Sequence, residues 1–328
     1  MVYILVNLSN INVPFGKHPV DTGKYLIATN EIDKLCYIVG NWIDNRFPGA
    51  IIHGRPRLGK TRAISYLIKV LPEELNQNIP MFHIRCRTYK SARESNFFED
   101  LLDGVGHAAP DLGRPSEKRV RLKHFFINAA EKSKQNKIVI FIDDAQKLSA
   151  IQYDWLMDIY NELDEYGIVL TTILVGHDEL IDRRKRFIIN KDFQIVGRFM
   201  SDSYQFNGLK DAEDFKILLE QYDEGTEFPV NSDVSFTQYY YRDLFEKGFR
   251  LVNYAEEFYD VYLELQLEKG LQNNKEIPMQ YVTLSIEYIL KNYGFFGENV
   301  QLLNKNLFKK AIINSGYIQS ELVLLDVD

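Results

Sequence analysis

Cysteine is scarce: the chain of 328 residues has two, Cys36 and Cys86. Two thiols cannot build a disulfide framework, and their separation has no metal-ligand spacing, so reduced thiols in the cytoplasm are expected. Long apolar runs are missing too. None reaches the ~18 residues needed to span a bilayer, so no membrane association is expected. The opening MVYILVNLSNINVPF lacks the positive leader and small-residue cleavage site of a signal peptide, which again points to the cytoplasm. Basic charge is not in excess. A net charge of −7 excludes a basic nucleic-acid coat. A local basic patch can still bind phosphate, because screening confines the relevant field to roughly 8–10 Å. Internal repeats and low-complexity tracts are absent.

What is present is ordinary for a soluble globular chain: 45% hydrophobic and 26% charged residues. The length suggests about two domains with a sizeable core. Residues 1–30 mix short apolar runs with Asn, Pro and Gly and are expected to form an extended arm. Apolar residues at helical spacing (Ile32, Leu35, Ile38, Val39, Trp42, Ile43) predict a helix over 31–46. A short apolar run, 49–53, reads as a buried strand that enters a Gly-rich loop, and a helix follows from Lys60 to about Val70. Further strands are expected at 81–86, 137–142 and 168–175, with helices at 94–106, 117–133 and 149–165. KIVIFI (137–142) is apolar on both faces, as a strand covered on both sides should be. Strands alternating with helices imply an α/β fold with a parallel sheet flanked by helices. Beyond about 208 the pattern is helical, at 210–223, 235–247, 249–270, 279–293 and 303–314. The expected division is an arm (1–30), an α/β nucleotide-binding core (31–208), a helical lid (209–275) and a helical tail (276–328).

Gly54, Arg55, Pro56, Arg57, Leu58, Gly59, Lys60 and Thr61 fit G-x-x-x-x-G-K-S/T in full, with Arg62 next in the chain. Glycines let the backbone curl so that its N–H groups point at phosphate oxygens, and the following helix adds its positive end. Lys60 is expected on the β- and γ-phosphates of ATP, and the Thr61 hydroxyl on Mg²⁺. The alternative is a glycine turn with a chance lysine, but a strand running in and a helix running out argue against it. Ile138-Val-Ile-Phe-Ile142 delivers two acids. Asp143 is expected to hold metal-bound water and Asp144 to polarise the attacking water. A solvated turn of two acids is the bland alternative.

The segments G-R-P-R-L-G-K-T-R-A (54–63), I-D-D-A-Q-K-L (142–148), L-V-G-H-D-E-L (174–180) and G-R-F (197–199) occur in that order. Together they resemble the TnsC/TniB group of transposition regulators, AAA+ ATPases of the initiator clade related more distantly to MuB. The resemblance covers about residues 30–270. It implies a P-loop AAA+ core followed by a helical lid. His177 stands where a polar "sensor 1" residue contacts the γ-phosphate or the water. Arg198 stands where an arginine finger reaches a neighbour's nucleotide, and Arg250 where a "sensor 2" arginine touches the γ-phosphate. Each also has a bland reading, respectively a polar loop residue, a surface salt bridge and a solvated helix residue. Two departures matter. Asp144 replaces the usual Glu and is shorter by one methylene, which predicts slow hydrolysis. His177 replaces Thr or Asn.

The same resemblance implies ATP-controlled self-association into a ring or filament on double-stranded DNA. The assembly would link a TniQ-type target selector to transposase subunits. In this family the segment after the second strand faces the DNA backbone. Here it contains Arg85, Arg87, Lys90 and Arg93 with no acid between them. Lys90 and Arg93, with Arg87, are the candidates for phosphate contacts, which position without reading bases. A solvated basic turn is the alternative. A second basic run, Arg183-Arg-Lys-Arg186, would point all ways on a helix and form no single face. Tyr239-Tyr-Tyr241 could stack on bases but suits helix packing better. The tail places Phe295, Phe296, Leu302, Leu303, Leu307 and Phe308 beside Lys305, Lys309 and Lys310, and is expected to contact a partner protein such as the transposase. Two other readings stay open: an origin-initiator or helicase-loader ATPase, and a nucleotide-driven defence or signalling switch.

Overall fold

Four strands take up apolar runs of the sequence, β1 (Gly49–His53), β2 (Met81–Arg85), β3 (Lys137–Asp143) and β4 (Val169–Gly176), and a polar fifth, β5 (Asp202–Gln205), joins them among the described residues. They form one parallel sheet in the order β2-β3-β4-β1-β5. Along the chain, α1 (Pro19–Thr22) and α2 (Asn30–Asp44) precede β1, and α3 (Lys60–Glu74) joins β1 to β2. Helices α4 (Glu94–Gly104) and α5 (Pro115–Ser133) join β2 to β3, and α6 (Ala150–Glu165) joins β3 to β4. Helices α7 (Glu179–Ile189) and α8 (Phe193–Phe199) lead into β5. The structure, a computed structural model, describes residues 16–271, 276–294 and 302–325. The chain divides into two compact units, residues 32–206 and residues 1–31 with 207–328.

In the 32–206 unit, successive side chains of a strand point to opposite faces, so β1 to β4 each feed two cores. Ile138, Ile140 and Ile142 of β3 pack with Phe98 of α4, Phe126 of α5 and Leu156 of α6. Val139 and Phe141 of the same strand pack with Val39 of α2 and Leu67 of α3 on the other face. All of these side chains are buried, and each contributes about 1.5–3 kcal/mol by leaving water. This explains the uninterrupted apolar run of β3. The fifth strand was not foreseen. Its sequence, DSYQ, is polar, and among the described residues it pairs only with β1, at the edge of the sheet.

The second unit is helical. Helices α9 (Ala212–Glu220), α10 (Phe236–Tyr240), α11 (Arg242–Glu246), α12 (Ala255–Glu268), α13 (Met279–Tyr293), α14 (Lys305–Asn314) and α15 (Tyr317–Leu325) follow the sheet in sequence. They bury one common core, with Phe215, Tyr222, Phe258, Tyr262, Val282, Phe308 and Tyr317 at its centre. The helix expected over 235–247 is broken in two at Tyr241, whose buried ring lies 4.6 Å from that of Phe249. The helix expected over 210–223 gives way after Glu220 to a wider turn, Gln221–Gly225. That turn buries Asp223, which accepts the backbone N–H groups of Leu251 and Val252 at 3.0 and 2.9 Å. Residues 16–31 carry more structure than an extended arm. Val20 and Ile27 belong to the helical core, and His18 is buried among the rings of Phe228, Phe236, Tyr239 and Tyr240. The start of the chain (1–15) and the expected tail residues Phe295 and Phe296 lie outside the described residues.

Candidate functional site

In a parallel sheet the carboxyl ends of all strands lie along one edge, where α/β folds bind ligands. The loop after β1, the acids after β3 and His177 after β4 all occupy that edge.

The loop 54–59 is held in a curl by its backbone. A Cβ on Gly54 would run into the carbonyl oxygen of Phe206, and Gly59 has φ +104°. Arg57 also lies in the left-handed region, at φ +68°. Positive φ values of this kind turn consecutive amides into one concavity, which suits an anion. Leu58 anchors the loop by burial in the core beneath α3. Helix α3 starts at Lys60 with no side-chain cap, so its positive end faces whatever the loop holds. The buried Lys60 Nζ donates to the carbonyl oxygens of Gly54 and Arg55, at 2.7 and 2.6 Å. Arg55, Pro56 and Arg62 complete the sequence-predicted set around the loop.

At the second residue of α3, the Thr61 hydroxyl donates to Asp143 Oδ2 at 2.8 Å. The bond joins the phosphate loop to the tip of β3. Burial pushes the Asp143 carboxyl up, but hydrogen bonds from His83, Thr61 and the Asp144 amide outweigh burial and hold it below the usual carboxylate range. The site therefore presents an ionised carboxylate beside a hydroxyl. These are hard oxygen donors, and magnesium takes one or two such protein ligands together with phosphate oxygens.

Asp144 has left-handed backbone, φ +57°, a conformation Asp tolerates through its short polar side chain. Its Oδ2 lies 2.8 Å from Lys147 Nζ, and Oδ1 accepts a long bond of 3.4 Å from Gln146. Both members of the Asp144–Lys147 pair are about one-third exposed. His177 has a buried Nδ1 with no hydrogen-bond partner among the described residues. The next residue, Asp178, binds His53 Nδ1 at 2.6 Å and so ties the end of β4 to the end of β1.

Arg198 lies on α8, half-buried, with its guanidinium 5.1 Å from the centroid of the Tyr160 ring. Arg250 belongs to the helical unit. Its guanidinium lies over the Phe245 ring at 3.4 Å and donates to the carbonyls of Phe245 and Phe249.

In the basic segment after β2, Arg87 is engaged by Asp100 and Asp103 of α4, at 3.2 and 2.8 Å. Tyr89 donates to both oxygens of Asp100, at 3.0 and 2.9 Å. Lys90 and Arg93 are exposed and have no ion-pair partner among the described residues. The four cations of α7 diverge, as helical geometry requires. Arg183 donates to the Gln146 carbonyl, Arg184 to that of Ser201, and Lys185 pairs with Asp182. The Cys86 thiol is pushed up to about 12 by burial, which keeps it protonated and unreactive.

Four residues of this edge escaped sequence reasoning: His83, Lys147 and the His53–Asp178 pair. The signal for His83 was a polar ring between the apolar residues Phe82 and Ile84 of a half-buried strand.

A family model for the AAA domain matches residues 49–183. No curated protein matches the sequence. Among solved structures the chain is similar to the ORC2 protein of Aeropyrum pernix in its ADPNP-ADP complexes, at 14% identity and a TM-score of 0.58, covering 91% of this chain and 71% of that one. The ADP form of the same protein gives 14% identity and 0.57, over 90% and 71%. A Walker-type ATPase of Pyrococcus abyssi gives 16% identity and 0.48, over 90% and 74%. The first two likenesses concern the fold. Sheet, loop and acids together define the class: an AAA+ P-loop domain, followed in this chain by a helical region. No helix among the described residues is long and apolar enough to cross a membrane.

Proposed function

We propose that this chain binds ATP–Mg²⁺ and hydrolyses it slowly, and that it serves as an ATP-dependent, double-stranded-DNA-binding regulator of transposition of the TnsC/TniB type. The observation that carries the nucleotide reading is the Thr61–Asp143 hydrogen bond, which closes the phosphate loop on the tip of β3. In this reading the loop amides and Lys60 bind the phosphates, with Lys60 exchanging the Gly54 and Arg55 carbonyls for phosphate oxygens. Thr61 and Asp143 hold the magnesium. When bound, the metal neutralises charge on the β- and γ-phosphates. Asp144 accepts a hydrogen bond from the attacking water and orients it, and the unpartnered Nδ1 of His177 is the nearby polar group for the γ-phosphate or that water. Arg198 acts as a finger for a neighbouring copy in a ring or filament, and the sensor 2 role of Arg250 comes from the motif resemblance. Slow turnover follows from the short Asp144 side chain and its pairing with Lys147.

Lys90 and Arg93 contact DNA phosphates, while Arg87 anchors the segment on α4. Target-selector and transposase partners of the TniQ and transposase kind come from the motif resemblance. The test is filter binding to duplex DNA with ATP and magnesium at two salt concentrations, using the unmodified chain and Lys60→Ala. ATP-dependent binding without sequence preference, lost in the variant, is the expected result. Binding indifferent to nucleotide refutes the proposal, and no DNA binding at all favours a nucleotide switch. One observation favours a replication-initiator reading, namely the fold likeness to the archaeal ORC2 protein over 91% of the chain. Site-specific DNA binding in the same assay would select it.

A further inference from the structure

Asp143 accepts hydrogen bonds from three donors. Oδ1 takes the amide of Asp144 at 3.0 Å, and Oδ2 takes the Thr61 hydroxyl at 2.8 Å and His83 Nε2 at 3.3 Å. His83 comes from the neighbouring strand. The register of β2 on β3 pairs His83 with Phe141 and Arg85 with Asp143. His83 is therefore the diagonal neighbour of Asp143 on the same face of the sheet, within reach of a long side chain. The other inner residues of β2 are Met81, Phe82 and Ile84, so an imidazole here breaks an apolar strand. Its side chain is 23% exposed, and among the described residues its bond to Asp143 is the one the structure gives it.

We propose that His83 is a positioning residue for the magnesium-binding carboxylate. The inference rests on the ATP–magnesium reading of this site. A hydroxyl such as that of Thr61 rotates freely and turns to the metal once the metal binds, so it cannot fix the carboxylate. The fixed donors are the Asp144 amide on one oxygen and the imidazole N–H on the other. Together they set both torsions of the Asp143 side chain. A neutral ring with its proton on Nε2 is sufficient, so no change of charge is needed. Donors behind a metal ligand are worth about 10- to 100-fold in metal affinity. A 3.3 Å bond from a partly exposed ring belongs at the lower end, about 10-fold.

The experiment titrates magnesium into the full chain with a fluorescent ATP analogue, and repeats the binding in EDTA. The unmodified chain is compared with His83→Phe, His83→Gln and His83→Asn. His83→Phe should raise the magnesium midpoint about 10-fold and leave nucleotide affinity in EDTA unchanged. The Gln amide reaches as far as Nε2 and should restore the midpoint to within about threefold, whereas the shorter Asn should not. An unchanged midpoint in His83→Phe overturns the proposal. So does an equal loss of affinity with and without magnesium, which would mark a merely structural residue. If His83→Phe fails to fold, the Gln–Asn contrast decides, and equal midpoints for the two overturn the proposal. Absence of magnesium-dependent binding in the unmodified chain is a different result. It removes the ATP–magnesium reading itself, and this inference with it.

Discussion

Substituting Lys147 by Met should accelerate ATP hydrolysis. Asp144 is the residue assigned to the attacking water, yet its Oδ2 lies 2.8 Å from Lys147 Nζ. The water must displace the ammonium or share the carboxylate with it. Both side chains are about one-third exposed, so the pair has the value of a surface ion pair. Such pairs are worth about 0.2–1 kcal/mol after solvent screening. If that energy is lost each time the carboxylate turns to the water, removing Lys147 raises kcat by about 1.4- to 5-fold. Lys147 lies outside the phosphate loop, so KM for ATP should stay the same. The gain should shrink with added salt, because screening already weakens the pair. Steady-state phosphate release at two ionic strengths measures all three quantities. A fall in kcat would refute the reasoning, because it would make Lys147 a participant in the reaction. So would a gain that comes through KM.

Three further outcomes are expected. Asp144→Glu restores the missing methylene and should raise kcat about 10-fold in the same assay, a part of the roughly 100- to 10,000-fold that a well-placed base contributes; an unchanged rate would show that side-chain length is not limiting. Lys90→Ala combined with Arg93→Ala should lower the slope of log affinity against log salt for duplex DNA by about 2, uniformly across sequences; an unchanged slope would move the DNA interface elsewhere. His18 is buried, and burial lowers its pKa from 6.5 to about 4. Its contribution to stability is thus complete above pH 6.5 and is lost as the pH falls towards 4, because only the unfolded chain takes up the proton in that window. Denaturant melts should show about 2 kcal/mol lost by about pH 5, and His18→Phe should remove that component.

The sheet was legible where burial on both faces forces an apolar run, as in Ile138–Ile142, and where a glycine-rich turn links strand to helix, as at Gly54–Thr61. It was not legible at β5, where Asp202, Ser203 and Gln205 carry no apolar signal and the strand exists because β1 offers an open edge. In the helical unit the elements were legible but their breaks were not. Helical periodicity runs straight through Tyr241, and only the tertiary contact with Phe249 shows why the backbone turns there. Within the candidate site, residues tied to a motif could be read directly: Lys60, Thr61, Asp143. Residues that act on those were hidden. His83 lies 60 positions from Asp143 in sequence and meets it only through strand register. The Lys147 bond depends on a left-handed residue, Asp144, that nothing in the sequence announces. Arg87 looked like its cationic neighbours, although Asp100 and Asp103, which engage it, lie on a different element.

Val20 and Ile27 share a core with residues that extend to Ile318, while the intervening 32–206 unit has cores of its own. On the ribosome, the α/β unit can complete its sheet as soon as β5 has emerged. The segment around His18 was made earlier but has to wait, apolar side chains uncovered, for more than a hundred later residues. The discontinuous unit is thus the last to close and the one most exposed to mispairing with another nascent copy. Shortening the chain from its far end would strip the cover from residues near its beginning.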